Sequence, residues 1–131
     1  MNHITNNVEI AALAAPRPLL LVSDGDDWTK NTPKVEFPHI QRIYSLFNVP
    51  DNVENAHFAV EGHGYEFSKR KAVYPFLAKH LGLHLEIIQN EDLSYNEEGI
   101  TIEKYDQLIV FNETNPLPAD AVKNNDEVEW K

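Results

Sequence analysis

His63 stands between two glycines in the segment EGHGYEF, and three aspartates, Asp24, Asp26 and Asp27, crowd the upstream turn SDGDDW. An imidazole acting as a general base takes a proton on one ring nitrogen and needs a carboxylate at the other to hold its tautomer and stabilise its charge. Glycine on both sides gives the loop the backbone freedom to offer both nitrogens. A lone loop histidine is most often a solvated side chain, and the acidic turn is what makes His63 a candidate base. Asp27, beyond Gly25 and two residues before Thr29, is the favoured acid. Asp24 is the alternative acid, although Asp before Gly commonly shapes a turn instead. Asp26 reads as a solvated charge.

Nothing in the chain supplies an obvious nucleophile for this pair. The serines are Ser23, Ser45, Ser68 and Ser94, and none lies in the G-x-S-x-G elbow that exposes a nucleophilic serine on a strained strand-to-helix turn. There is no cysteine, so thiolate nucleophiles, disulfides and cysteine zinc sites are excluded together. His57, Glu61 and His63 offer the donor set of a catalytic zinc. Their placement argues against it, with His57 inside a strand, His63 past its end and no H-E-x-x-H helix. The aspartate turn lacks the alternating ligands and closing glutamate of an EF-hand loop. No metal and no cofactor is therefore expected. His80 sits on an apolar helical face and reads as a packed residue, while His3, His39, His57 and His84 show no partner pattern.

The elements that position Asp27 and His63 follow from periodicity. VEIAALAAPRP predicts a short helix with Ile10, Leu13 and Ala14 inward, stopped by Pro16 and Pro18. Leu19 to Val22 is an unbroken apolar run, the pattern of a central parallel strand covered on both faces, with Ser23 to Asp27 as the polar turn beyond it. Ile40, Ile43, Tyr44 and Phe47 recur at helical spacing, with Pro38 tolerable in the first turn. AHFAV predicts a second strand and EGHGYEF a loop. Ser68 is the expected cap of a helix that buries Val73, Phe76, Leu77, His80 and Leu81, contains Pro75 and ends at Gly82. This strand, helix, strand, helix order predicts parallel pairing with a right-handed crossover. Ligand chemistry on such sheets lies beyond the carboxyl ends of the strands, where Asp24 to Asp27 and His63 fall. After His84 the pattern changes, with GITIE and QLIVF read as strands and an acidic tail.

Composition narrows the classes. At 131 residues and 42% hydrophobic content, the chain fits one ordinary globular domain or part of one. Asp and Glu number 21 against 11 Lys and Arg, a formal charge of −10 that repels phosphate backbones and anionic lipid, so no nucleic-acid or membrane partner is expected. MNHITNNVEIAALAA lacks the basic and apolar regions of a secretion signal, and no eighteen apolar residues run together. The default expectation is a cytoplasmic product, while a longer parent chain could be exported.

At PRPLLLVSDGDDWTKNTP, EGHGYEFSKRKAVYPFLAKHLGL and NPLPADAVKNNDEV the chain resembles the C-terminal portion of bacterial α/β-hydrolases of the acetylxylan-esterase-like and dienelactone-hydrolase-like group, from about Asn6 to about Val128. The resemblance implies a partial α/β-hydrolase fold, the C-terminal strands and helices of a mostly parallel sheet in three αβα layers. It places the acid and histidine loops in residues 1–83 and a C-terminal extension in residues 84–131. It assigns Asp27 and His63 as triad acid and base of an enzyme that hydrolyses carboxylic esters, often acetyl groups on plant polysaccharides, without metal or organic cofactor. The family's N-terminal portion, with the oxyanion-hole loop, the serine and most strands, has no counterpart here. The expectation is a fragment of a serine esterase, inactive alone unless a complementing N-terminal portion is supplied. The alternative is a stand-alone, non-catalytic binding or oligomerisation module. The chain alone is expected to be marginally folded, to self-associate through an open sheet edge, or to require a partner, and a stable monomer would favour the module.

Overall fold

Asn6 starts the first helix, because its side-chain oxygen accepts the amides of Val8 and Glu9 while the Glu9 carboxylate accepts the Asn6 amide. This reciprocal cap satisfies donors that a helix start leaves without intrahelical partners. The computed structural model describes residues 4–128. In chain order it has α1 (Asn7–Ala12), β1 (Leu19–Asp26), α2 (Glu36–Leu46), β2 (Val53–Gly62), α3 (Phe67–Leu81) and α4 (Tyr105–Leu108), with short 3-10 turns between and after them. The chain divides into two compact units, Met1–Asn96 and Glu97–Lys131.

The first unit is a mixed α/β arrangement around a small core. Ala12, Ile40, Tyr44 and Val53 are buried, with Val8, Ala11, Ala15, Leu19, Leu21 and Phe37 packed against them. Full burial of an aliphatic side chain such as Ile40 contributes about 1.5–3 kcal/mol. Tyr44 adds a polar anchor, donating its hydroxyl to the Arg17 carbonyl at 2.7 Å, and burial raises its phenol pKa. The expected inward face of α1 is corrected: Ile10 and Leu13 are exposed, and Val8, Ala11, Ala12 and Ala15 meet the core. These positions keep the helical spacing, and their alanines permit close approach to α2. Phe47 is likewise outside the core, at the C-cap of α2 and half exposed.

β1 and β2 form a two-stranded parallel sheet joined through α2, in register from Leu19↔Val53 to Asp24↔Phe58. The next pair is Asp26↔Gly62, so Gly25 alone spans what Ala59, Val60 and Glu61 span on β2. This bulge requires glycine, because a Cβ on residue 25 would lie 1.8 Å from the Ala59 carbonyl oxygen. Strand geometry therefore runs through Asp26, and the turn expected at Ser23 to Asp27 is displaced beyond it. Leu19 to Val22 are each half-buried, a correction to the strand covered on both faces. Among the described residues β1 has β2 as its strand neighbour and none on its other edge.

α3 continues through Pro75 and ends at Gly82, whose φ of 65° is the left-handed conformation that glycine adopts without a Cβ clash. Its N-cap is Glu66 without a side-chain cap, so Ser68 is not the cap. Lys69 is the buried residue of this helix. Val73, Phe76 and His80 are half-buried, while Leu77 and Leu81, expected inward, are exposed. In the second unit GITIE and QLIVF do not form strands, and Tyr105–Leu108 is a single helical turn. With no neighbouring strand, an extended segment there would leave its N–H and C=O groups without a ladder. Among the described residues no helix is long and apolar enough to cross a membrane.

Candidate active site

Parallel pairing carries the carboxyl ends of β1 and β2 to the same edge of the sheet, and the chain leaves that edge through Asp27 and His63 respectively. His63 Nδ1 lies 3.2 Å from Asp27 Oδ2. The imidazole is 76% exposed and the carboxylate side chain 5%. The other Asp27 oxygen accepts both the hydroxyl and the amide of Thr29, two residues on, an Asx-type turn that aims the carboxylate. The Thr29 hydroxyl, with smaller contributions from its amide and from His63, holds the Asp27 carboxyl below the ordinary aspartate range against the opposing effect of desolvation.

Asp24 faces elsewhere. Its Oδ1 lies 2.8 Å from Lys69 Nζ, and both side chains are buried, at 8% and 1% exposure. The contact is coulombic, since the directed hydrogen bonds of the ammonium go to the carbonyls of Gly62, at 2.6 Å, and Gly64, at 3.0 Å. The Asp24 amide donates to Thr29 Oγ1 at 2.8 Å, which joins the two acidic positions through one threonine. Asp26 is exposed at the strand end. Three neighbouring aspartates thus have three environments, and Asp27 is the one in contact with His63.

A hollow of about 220 Å³ opens over this pair, lined by Asp27, Trp28, Thr29, His63 and Tyr65 among others. With its Nδ1 proton held by a carboxylate, a neutral imidazole presents Nε2 as an acceptor, the arrangement that removes a proton from a hydroxyl. The serines of the chain are engaged in other contacts. Ser23 is 1% exposed; its Oγ lies 2.9 Å from His57 Nδ1 and accepts from Asn55 Nδ2 at 3.0 Å. Ser45 donates to the Gln41 carbonyl, Ser68 to Glu61 and Ser94 to Asp92.

The remaining histidines separate cleanly. His57, read as lacking a partner, is the cross-strand register partner of Ser23. His80 packs on Phe76 with ring centroids 4.5 Å apart. His84 pairs with Glu86 at 2.8 Å, another partner the spacing did not reveal, and His3 lies outside the described residues. Among the described residues no three His, Asp or Glu side chains gather as a metal site, so His57, Glu61 and His63 do not converge. Sequence reasoning missed Lys69 and Thr29. Both had a signal: Lys69 falls four residues before Val73 and seven before Phe76, on the inward stripe of α3, and Thr29 has the Asx-turn spacing from Asp27.

No family model matches the chain, and no curated protein matches it. A solved structure of a methylesterase, BT1017, is similar, with 41% sequence identity and a TM-score of 0.68 over 85% of this chain. That likeness supports an esterase-like fold. The chain spans 23% of the length of that methylesterase.

Proposed function

We propose that the chain contributes the acid and the base of a serine carboxylic-ester hydrolase, as the C-terminal part of an α/β-hydrolase fold. In this reading Asp27 is the acid, His63 is the base, and the nucleophilic serine and oxyanion hole come from polypeptide other than these 131 residues. The observation that carries the reading is the 3.2 Å contact between His63 Nδ1 and Asp27 Oδ2 at the shared edge of two parallel strands. The likeness to a methylesterase supports the same reaction class.

In the complete site a serine hydroxyl gives its proton to His63 Nε2 as its oxygen attacks the ester carbonyl. The imidazolium then returns that proton to the leaving alcohol, and water repeats the cycle on the acyl-enzyme. Asp27, held ionised by Thr29, keeps the Nδ1 proton in place and stabilises the imidazolium. Without nucleophile and oxyanion donors the pair is inactive, since loss of one such donor alone costs about 10²–10³ in rate. Methyl esters are the first substrates suggested by the methylesterase likeness, and acetyl esters of carbohydrates by the sequence resemblance. Half-covered β1 supports completion by further polypeptide or by self-association.

The test is a chimera in which this chain replaces the matching segment of the BT1017 methylesterase. Hydrolysis of a methyl ester that disappears in His63→Ala supports the reading. A chimera that melts cooperatively, yet hydrolyses neither methyl nor acetyl esters, overturns it.

A further inference from the structure

We propose that Lys69 is a positioning residue for His63, which deepens the esterase reading and rests on it. Lys69 is fully buried, and its directed hydrogen bonds gather in one place. Two go to the carbonyls of Gly62 and Gly64, at 2.6 and 3.0 Å, and the ammonium also lies 2.8 Å from Asp24 Oδ1. Gly62 and Gly64 are the residues on either side of His63, so one ammonium grips the backbone of the base from both sides.

A histidine flanked by glycines would otherwise sample many orientations, because glycine restricts its backbone least. The grip runs on to the acid. Asp24 is bonded through its amide to Thr29 Oγ1, and Thr29 holds Asp27, which meets His63. Lys69, Asp24, Thr29, Asp27 and His63 thus close a ring of contacts in which the acid and the base are fixed against the same strand end. Ser68, the residue before Lys69 on α3, donates its hydroxyl to Glu61 at the end of β2 at 2.7 Å.

Stability alone is a weak reason for this arrangement. A buried ion pair is often no better than apolar residues of similar volume, so the pairing of Lys69 with Asp24 is not by itself what a methionine with a leucine opposite it would lose. Such a pair would leave the Gly62 and Gly64 carbonyls without their donor, which is where a positioning role and a merely structural one part.

Imidazole 15N shifts on the 131-residue chain report the His63 tautomer without any catalysis. The unaltered protein is expected to show the Nδ1–H form. Asp27→Asn is expected to release it towards the Nε2–H form, and so are Lys69→Met and the double change Lys69→Met with Asp24→Leu, with amide dispersion retained. A folded double variant that keeps the Nδ1–H form overturns the proposal. Should both variants fail to fold, the unaltered protein decides: a slowly exchanging Lys69 ammonium with hydrogen-bond couplings to the Gly62 and Gly64 carbonyls supports the grip, and their absence overturns it. In an active chimera Lys69→Met is expected to lower kcat by about 10²-fold with little change in KM, the scale of a misplacement of about 1 Å. An inactive chimera would defeat the esterase reading and leave the tautomer result standing.

Discussion

Asp27 and His63 are 36 residues apart in sequence and 3.2 Å apart in space. The contact exists because β1 and β2 run parallel and end together, so the residue after each strand enters the same small volume. Asp24, three residues earlier, faces Lys69 instead. The two carboxylates are therefore expected to fail in different ways when neutralised.

In an active chimera, Asp27→Asn is expected to reduce kcat by about 10⁴, the cost of the wrong tautomer in a triad. Asp24→Asn removes the nearer of the two carboxylates beside buried Lys69, with Glu61 Oε2 remaining at 3.9 Å, and is expected to cost up to about 3–5 kcal/mol of stability. Steady-state kinetics beside denaturant melts separate the two. A greater loss of kcat from Asp24→Asn at unchanged stability would reverse the assignment.

Asp27 is held below the ordinary carboxyl range chiefly by the Thr29 hydroxyl. A carboxyl depressed on folding stabilises the folded state above its unfolded value, near 4, and loses that contribution as pH falls through the lower folded value. Thr29→Val keeps the branched shape and removes the hydroxyl. It is expected to move the Asp27 titration upwards, read by carboxyl 13C shifts, and to bring acid unfolding to higher pH. An unmoved midpoint would show that Thr29 is not the cause.

Gly25→Ala is expected to destabilise the fold by about 1–3 kcal/mol or more, the range for overpacking, because the new methyl meets the Ala59 carbonyl. Gly99→Ala, with nothing within 4 Å of the added carbon, serves as the control and should stay within about 0.5 kcal/mol. Equal melting curves for the two variants would remove the reason for glycine in the bulge.

Ser23 is buried and shares its hydroxyl with His57 and Asn55. An organophosphonate active-site probe is accordingly expected to leave the 131-residue chain unlabelled. Labelling that vanishes in Ser23→Ala would show that the serine reaches solvent and reacts.

The apolar run of β1 is half-buried rather than covered, and among the described residues its sheet has two strands. Light scattering at micromolar concentration is expected to show self-association, or a melt below the usual mesophile range. A monomer with one cooperative transition above about 60 °C would instead favour a self-sufficient module.

The candidate pair was legible in the sequence because its signals are local: glycines around His63, carboxylates after an apolar run, and a strand, helix, strand spacing that brings their ends together. Gly82 at the end of α3 and the inward Ile40 and Tyr44 of α2 follow from equally local patterns. Asp27 was favoured by its place beyond Gly25 and by the resemblance, but what separates it from Asp24 in space was not legible. Three carboxylates within four residues differ in sequence by little, and they differ in space only because α3 delivers Lys69 to Asp24 and the bulge at Gly25 turns the chain towards Thr29. Leu19 to Val22 reads as doubly covered because apolar runs record the burial a strand is suited to, whereas the burial it receives depends on which neighbours are present to pack on it. GITIE and QLIVF have strand composition and no ladder, and backbone groups become a strand only when another segment supplies their hydrogen bonds.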